Sequence, residues 1–246
     1  MDSAAASTIS GALNGGTNVT LLATLTNASG PGNVSSGAGD INVNAAIGWS
    51  GNSTLTLDAY HSIHLNAAVT ATGDTAGLVL NYAGYTENGS VGGTGDYYVN
   101  APVSLGGAHA SLSINGQAYR LIHSLADAAT YFNTPGSYAL AQDIDLSGVT
   151  RSSALVSSFQ SKLAGLGHSI NNLTISGASG YVGLFGTTSS NSVIRDLHLG
   201  NVSVSGGYYV GGLVGYGQGA IKNVTVDGSV TGTSGGVGGL TATTWA

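Results

Sequence analysis

The fold is predicted by two motifs, VGGLVG at residues 210–215 and IKNVTV at residues 221–226. The chain contains a similar pair of motifs earlier. VGLFG at 182–186 and IRDLHL at 194–199 stand in the same order. The step from Ile194 to Ile221 is 27 residues, and the step from Val210 to Val237 is 27 as well. A repeat of roughly 20 to 50 residues is typical of solenoids and arrays, in which each unit buries its apolar face against the next.

The interior of this repeat predicts strands rather than helices. IRDLHL and IKNVTV alternate apolar and polar residues and are rich in β-branched side chains, which is the pattern of a strand with one buried face. INNLTI at 170–175 has the same pattern. Stacked at the usual strand spacing, these words predict two internal ladders. The first contains Ile170, Ile194 and Ile221, and the second contains Leu173, Leu197 and Val224.

The first half of the chain repeats with different words. VNAAI (43–47), LNAAV (65–69) and VNAPV (99–103) share one pattern, and STLTL, AGLVL and ASLSI share another. The step from Val43 to Leu65 is 22 residues, whereas the step from Leu65 to Val99 is 34. We therefore expect coils of about 22 residues, with the additional residues in a loop over the Gly-rich stretch 84–96.

One segment between the two kinds of repeat has helical character. Ser124 and Asp127 have the spacing of a capping box, and Pro135 ends the run, as expected for a short helix. Residues 117–150 are therefore predicted to form a strand, a helix and a strand that continue the solenoid. A second short helix is expected around 156–163.

These patterns together predict one all-β solenoid of roughly ten coils. Residues 1–116 carry the shorter repeat, 117–150 the insert, and 151–246 the longer repeat, all around one core. Glycine accounts for 41 of the 246 residues and only 7% are charged, but 42% are hydrophobic. Because the hydrophobic residues recur periodically, they suffice for a narrow continuous core.

The sequence motifs of the chain also resemble those of known families. VGGLVG with IKNVTVDGSVTG resembles the GLUG motif, and YALAQDIDLSG with LAGLGHSINNLTISG resembles the segment before GLUG repeats in large bacterial surface proteins. GDINVNAAIGWSGNSTLTLDAYHSIHLNAAVTATG resembles the repeats of filamentous-haemagglutinin-like adhesins exported by two-partner secretion. The resemblance implies a right-handed parallel β-helix in a secreted or surface-attached bacterial adhesin. The NPNG-type motifs of that family's secretion domain are not matched.

Composition narrows the classes of partner and site. The net charge is −6 with five Lys and Arg, whereas nucleic acids and anionic membranes require a basic face. No apolar run has the length of a membrane span, and the start MDSAAAST lacks the regions of a signal peptide. Cysteine is absent, which excludes disulfides and thiolate metal sites. We expect a fragment of a longer protein, or an end covered by Trp245 and its neighbours.

Carbohydrate-active enzymes are an alternative function, because some of them are β-helices. Asp143, Asp145 and Asp196 are the carboxylates considered, and Arg195 and Lys222 the cations. A hydrolase needs at least two carboxylates grouped in a groove, and no Asp-Asp pair is present. We interpret these residues as solvated strand and turn positions, and we expect no enzyme. Convergence of Asp143, Asp145 or Asp196 with a histidine would overturn that expectation.

Histidines and Gly-rich turns give little support to a metal or cofactor. His61 and His64 are three apart on a predicted strand and would point to opposite faces. His168 follows Gly-Leu-Gly and is expected to make a turn hydrogen bond. GGTGD at 92–96 occurs once, whereas the Ca²⁺-binding nonapeptide works as a stacked array. We expect no metal site and no cofactor.

Tyrosines are the candidate recognition residues. Tyr97-Tyr98 and Tyr208-Tyr209 are doublets, and on a strand one residue of each doublet must face outward. Outward Tyr beside Asn and Gly is typical of surfaces that contact glycans or proteins. The alternative is that one ring packs inside and the other covers a corner. The predicted surface consists of Tyr85, Tyr97, Tyr98, Tyr208 and Tyr209.

The function that these inferences predict is cell or matrix adhesion by a shaft or binding segment of a secreted or cell-surface protein. The expected partner is a glycan or protein on a host or neighbouring cell, and a second expected interaction is self-association. A solenoid that binds nothing is the competing prediction. The chain has eight N-glycosylation sequons, several of which are interpreted as turn asparagines before strands, with glycosylation as the alternative. They begin at Asn18, Asn27, Asn33, Asn52, Asn88, Asn172, Asn201 and Asn223.

Overall fold

The structure is a computed structural model that describes residues 1–24, 38–86, 89 and 91–244. These residues are predominantly β, with short strands joined in sheets of parallel strands and two helices. The chain divides into two compact units, Met1–Leu121 and Ile122–Ala246. We call them unit 1 and unit 2.

The described residues of unit 1 form one helix and eleven short strands, the last of which ends one residue beyond the boundary. The elements are α1 (Ser3–Asn14), β1 (Val19–Ala23), β2 (Ile41–Val43), β3 (Ile47–Trp49), β4 (Thr54–Ala59), β5 (Ile63–Leu65), β6 (Val69–Ala71), β7 (Gly77–Asn81), β8 (Tyr97–Val99), β9 (Val103–Leu105), β10 (Ser111–Ile114) and β11 (Gln117–Ile122).

The strands of unit 1 form three ladders in a regular order. β1, β4, β7 and β10 lie in parallel in one sheet, β2, β5 and β8 in a second, and β3, β6 and β9 in a third. Each sheet therefore gains one strand for every three strands of sequence. β11 is the exception, since it pairs antiparallel with β10.

Alternating sequence fixes the register of these ladders. Val43 lies opposite Leu65, and Leu65 opposite Val99, so the positions aligned from the repeated words are true neighbours. All three are buried. A shift by one residue would turn them to the solvent, which is why the pattern specifies the register. Between β7 and β8 the chain makes an excursion, of which residues 82–86, 89 and 91–96 are described, and the ladders on either side keep their register.

Helix α1 is a feature that the sequence interpretation missed. It predicted helices only at 124–135 and around 156–163. The carboxylate of Asp2 accepts a hydrogen bond from the N–H of Ala5 and caps the helix, as N-cap residues do. Ala6, Ile9 and Leu13 are buried and lie on one helical face. The helix contacts β3 and β1.

Over its described part, 122–244, unit 2 forms one helix and fifteen strands, two of them long. The elements are α2 (Leu125–Tyr131), β12 (Ser137–Leu140), β13 (Ile144–Asp145), β14 (Thr150–Arg151), β15 (Val156–Phe159), β16 (Lys162–Ala164), β17 (Ser169–Asn171), β18 (Thr174–Ala178), β19 (Tyr181–Val182), β20 (Phe185–Thr188), β21 (Val193–Gly206), β22 (Tyr209–Gly211), β23 (Val214–Gly217), β24 (Ala220–Gly232), β25 (Val237–Gly238) and β26 (Thr241–Thr244).

The long strand β21 organises the largest sheet of unit 2. β16, β17 and β18 pair with it in turn, and β24 pairs with it as a further parallel strand. Two smaller parallel sheets complete the unit: β15, β20, β23 and β26 in one, and β19, β22 and β25 in the other. The described pairings of unit 2 are all parallel.

The predicted internal ladders of unit 2 are partly wrong. Ile194 does pair with Ile221, but its other neighbour is Leu163, and Ile170 lies opposite Leu199. Leu197 pairs with Val224 as predicted. The error has a physical cause, because the buried positions of β21 change phase at Asp196, whose φ is 55°, so that Leu199 is buried although it lies five residues after Ile194.

The predicted helix between the repeats is confirmed, whereas the second predicted helix is wrong. The side chain of Ser124 accepts a hydrogen bond from the N–H of Asp127 and begins α2. Around 156–163 the chain forms strands β15 and β16 instead. Phe159 explains this, because it is fully buried against Phe185 and Phe132, with ring centroids 4.4 and 5.8 Å away. Aromatic contact inside the sheet outweighs the local helical pattern.

Candidate recognition surface

The glycines of the repeated words create tight corners between neighbouring sheets of unit 2. A side chain at Gly211 would overlap the carbonyl oxygen of Val214, and one at Gly215 would overlap the backbone N of Val182. Backbones can therefore approach here only because the residues are glycines. The corner brings the outward residues of β22 and β23 close to one another.

Four tyrosines meet at this corner and form the tyrosine cluster: Tyr181, Tyr208, Tyr209 and Tyr216. Tyr181 and Tyr209 lie opposite each other on β19 and β22, with their rings stacked at 5.5 Å. The Tyr216 ring is 5.3 Å from that of Tyr181 and 6.2 Å from that of Tyr209. Tyr208 stands edge-on to Tyr209 at 4.5 Å. These separations are those of favourable aromatic pairs.

The tyrosine cluster is accessible and uncharged. Tyr208 is 52% exposed and Tyr181 is 46% exposed, so both rings present large apolar areas to the solvent. The neighbouring phenol of Tyr208 raises the pKa of Tyr209 above its ordinary value, since a second negative charge beside it would be repelled. Tyr209 therefore stays a neutral hydrogen-bonding phenol at physiological pH.

The structure brings together only two of the five predicted tyrosines. Tyr208 and Tyr209 belong to the cluster, and Tyr208 faces outward just before β22 begins. Tyr181 and Tyr216 were missed by the sequence interpretation. The repeat contained the signal for Tyr181, because YVGLFG and YVGGLVG both place Tyr directly before Val-Gly.

The other three predicted tyrosines lie in unit 1 and form no cluster. Tyr97 is buried, with 2% of its surface exposed. Tyr98 is outward and stacks on the imidazole of His64 at 4.8 Å. Tyr85 is half-buried in the excursion before β8, where it forms an isolated bridge with Val91. The Tyr97-Tyr98 doublet thus has one ring inside and one outside.

A polar groove lies elsewhere on unit 2, between the end of α2 and strand β15. Its volume is about 280 Å³. Five of its lining side chains are polar and none is charged, which suits hydrogen bonding to a neutral ligand. The lining residues are Phe132, Asn133, Thr134, Pro135, Ser157, Ser158 and Gln160.

One candidate carboxylate does converge with a histidine. Oδ1 of Asp143 lies 3.1 Å from Nδ1 of His168 and accepts the N–H of Ser169 at 2.8 Å. Burial raises the pKa of Asp143, but these hydrogen bonds outweigh it and the pKa is lowered overall. The carboxyl side chain is 63% exposed, whereas that of His168 is only 5% exposed. Such a convergence would overturn the expectation of no enzyme if the pair were catalytic rather than structural.

Unit 1 contains the same arrangement, which identifies it as a structural clip. Oδ1 of Asp40 lies 2.6 Å from Nδ1 of His61 and accepts the N–H of Ser62 at 2.9 Å. In both units an Asp-Ile at one strand faces a His-Ser-Ile on the next, with the isoleucines paired. Burial of Asp40 is again outweighed, and its pKa is lowered. We call these contacts the Asp–His clips.

The remaining charged candidates also have structural partners. Asp196 is buried and accepts hydrogen bonds from Nε of Arg195 at 2.7 Å and from the amide of Asn223 at 2.9 Å. Asp145 accepts hydrogen bonds from Ser147 and Asn172, and the bond from the Asn172 amide is the main cause of its lowered pKa. Asp196 therefore links β21 to β24, and Asp145 stabilises the turn after β13.

Several sequon asparagines serve in ladders of side-chain amides. Asn172 donates to Asp145 at 2.7 Å, and Asn201 donates to Asn172 at 2.6 Å. Both have positive φ, 63° and 52°, which Asn tolerates better than other side chains. In unit 1 a similar ladder joins Asn100, Asn66 and Asn44 at 2.7 and 2.8 Å. The sequons at Asn27, Asn33 and Asn88 lie outside the described residues, as does Trp245.

Comparisons with known proteins support part of the resemblance. Residues 206–231 match the GLUG motif family, so this part of the predicted resemblance is confirmed. The matched segment includes Tyr208, Tyr209 and Tyr216.

One relative extends the comparison. Halomucin of Haloquadratum walsbyi is 40% identical in an alignment over 143 residues, and the match covers 50% of this chain and 2% of halomucin. The chain thus spans only a small fraction of that relative's length. No solved structure matches the chain.

Two further observations concern metals and membranes. Among the described residues, no group of three or more His, Cys, Asp or Glu side chains could hold a metal ion. Neither described helix is long and apolar enough to cross a membrane.

Proposed function

We propose that this chain is a segment of a much larger secreted or cell-surface protein and acts in cell or matrix adhesion. The similarity to halomucin, whose name is that of a mucin-type protein, and the GLUG match support a position in such a protein. The proposed partner is a glycan or protein on a host or neighbouring cell. The finer form of the proposal is a filamentous-haemagglutinin-like passenger exported by two-partner secretion.

The proposed architecture is a right-handed parallel β-helix of roughly ten coils. In unit 1 each parallel sheet gains every third strand of the sequence, and this is the order in which three-stranded coils are laid down. Connections between parallel strands of one sheet are right-handed in roughly 98% of cases, which supports the proposed hand. A stiff array of coils would hold a contact surface away from its anchor.

The observation that carries the adhesive function is the tyrosine cluster. Four rings lie within contact distance, and two of them are about half exposed. Exposed apolar side chains beside one another are typical of interaction sites, and Tyr offers both a flat apolar ring and a hydroxyl. We further propose that the chain has no catalytic role, since its clustered carboxylates and histidines already bind structural partners.

A binding assay with matched tyrosine variants tests this proposal. The purified protein is coated on beads, and retention of cells or extracellular matrix is measured for wild type and for Tyr208→Ala with Tyr209→Ala. We expect the double variant to lose binding by roughly tenfold or more, as loss of central aromatic contacts does. Tyr98→Ala is the control, because it removes an equally exposed ring that stacks only on His64. Equal binding by all three proteins would contradict the proposal.

A further inference from the structure

The polar groove and the tyrosine cluster lie on the same face of one sheet. Ser158 of β15 is opposite Thr187 of β20, and Thr187 is opposite Tyr216 of β23. Ser158 lines the groove, and Tyr216 belongs to the cluster. Since neighbouring strands are about 4.8 Å apart, the two features are separated by about 10 Å.

The connecting face is open and uncharged. Ser158 is exposed, and Thr187 and Tyr216 are half-buried, while their neighbours Phe185 and Val214 point into the core. Small hydroxyl side chains therefore lie between the groove and the aromatic rings. A ligand chain could lie across them without crossing a bulky or charged side chain.

The polar groove and the tyrosine cluster, at the two ends of this face, differ in their chemistry, and together they fit one class of ligand. The groove offers amides and hydroxyls from Asn133, Ser158 and Gln160. Among the described contacts, the side chains of Ser158 and Gln160 make no hydrogen bond within the protein, so their polar atoms are available. The other end offers flat rings against which the C–H face of a sugar stacks, with phenol hydroxyls beside them. Sugars combine apolar C–H faces and hydroxyl groups in each unit.

We propose that the face of β15, β20 and β23 binds an uncharged oligosaccharide of at least three sugars. One sugar stacks on the tyrosine cluster, and a later one hydrogen-bonds in the polar groove. Thr187 lies under the sugars between them. This proposal rests on the proposed adhesive function of the tyrosine cluster and specifies its ligand. Neutrality follows from the site, since neither its groove nor its rings carry a charged side chain.

Titration with defined sugars tests the length and the charge of the ligand. Cellohexaose, chitohexaose and mannohexaose are the uncharged probes, their disaccharides are the short probes, and a heparin hexasaccharide is the anionic probe. We expect at least one uncharged hexasaccharide to bind at least tenfold more tightly than its disaccharide, because only the longer chain reaches both ends. The heparin probe should bind more weakly than that hexasaccharide.

Matched variants locate the bound chain on the face. Thr187→Glu places a carboxylate under the middle of the chain and should weaken hexasaccharide binding by roughly tenfold. Ser158→Ala with Gln160→Ala should weaken the hexasaccharide but leave the disaccharide unchanged. Thr70→Glu on the central strand of a three-stranded sheet in unit 1 is the matched control and should change neither. The far-ultraviolet circular dichroism spectrum and melting temperature verify that each variant is folded.

Failure of this inference is distinguishable from failure of the proposed function. If cells or matrix bind in a manner that depends on Tyr208 and Tyr209, but no uncharged sugar binds at millimolar concentration, the oligosaccharide proposal is wrong and adhesion stands. The same holds if the groove variants and Thr187→Glu leave hexasaccharide binding unchanged. Absence of binding to cells, matrix and sugars alike overturns both.

Discussion

Units 1 and 2 both stack parallel strands, but they differ in the side chains that form the core and in those that lie on the surface. Unit 1 packs aliphatic columns such as Val43, Leu65 and Val99, and its exposed Tyr98 stacks only on a histidine. Unit 2 packs Phe132, Phe159 and Phe185 against one another and gathers four tyrosines outside. The comparison teaches that a ladder constrains the inward positions, while the outward positions are free to acquire a function.

The Asp–His clips show that one device is nevertheless common to both units. In each unit, Asp-Ile at the start of one strand faces His-Ser-Ile at the start of the next. Oδ1 of the Asp contacts both the His Nδ1 and the N–H of the Ser. Because the clips are alike although the two cores differ, we infer that both units need the start of these strands to be fixed in the same way. The side chains of the interior can then vary.

The largest predicted effect separates the two cores. Phe159→Ala should lower the free energy of unfolding by roughly 3–5 kcal/mol, because it leaves a cavity between two other rings. We expect hydrogen exchange to accelerate in unit 2 and to stay nearly unchanged in unit 1. Leu57→Ala, at a fully buried position in unit 1, is the matched control and should show the reverse. If either variant accelerated exchange equally in both units, the units would not be independent.

A smaller effect separates the two amide ladders. Asn172→Ala should destabilise the protein by roughly 1–3 kcal/mol in a urea titration, because it removes ladder hydrogen bonds and forces Ala into the left-handed region. Asn66→Ala in unit 1 removes equivalent bonds without positive φ and should cost about 0.5–1.5 kcal/mol. Asn172→Gly should be milder than Asn172→Ala. Equal losses in Asn172→Ala and Asn66→Ala would show that backbone conformation is unimportant here.

The smallest predicted effect is the acid response of the clips. Because the pKa of Asp40 and that of Asp143 are lowered in the folded protein, the clips stabilise it above the ordinary Asp pKa of about 3.9. That stability is lost as the pH falls further, through the lowered values. Asp40→Asn should flatten the decline of melting temperature below pH 4, and Asp143→Asn should do so less, since its carboxyl side chain is more exposed.

Asp58 is the control for this pH dependence, because its shift has the opposite sign. Burial raises the pKa of Asp58, so its ionised form destabilises the folded protein at neutral pH. Asp58→Asn should therefore raise the melting temperature at pH 7 and have little effect at pH 3. A decrease at pH 7 would show that the carboxylate has a favourable partner.

The sequence was sufficient to predict the pairing of strands whose inward residues alternate within short, separate motifs. Val43, Leu65 and Val99 could be aligned because each word is bounded by polar residues that prevent a shift. The same reasoning failed for Ile170, since the buried positions of β21 change phase at Asp196, whose φ is 55°. Simple alternation carried across that residue aligns Ile170 with Ile194, whereas its partner is Leu199.

The candidate surface could be predicted only in part for a related reason. Tyr208 and Tyr209 were conspicuous as a doublet, whereas Tyr181 and Tyr216 stand alone in the sequence. Their approach depends on the glycine corner at Gly211 and Gly215, where sheets meet without side chains between them. Helix α1 was missed because its short apolar face, built from three residues, lies in a segment rich in Ala and Ser.

The excursion between β7 and β8 has a consequence for how such chains change in length. β5 and β8 pair in the same register as β2 and β5, although the sequence between them is longer. The pairing of strands in these sheets therefore does not depend on the number of residues between β7 and β8. A coil can therefore hold additional residues at this point while its strands keep their register, which makes the length of the chain and the spacing of the ladders independent here.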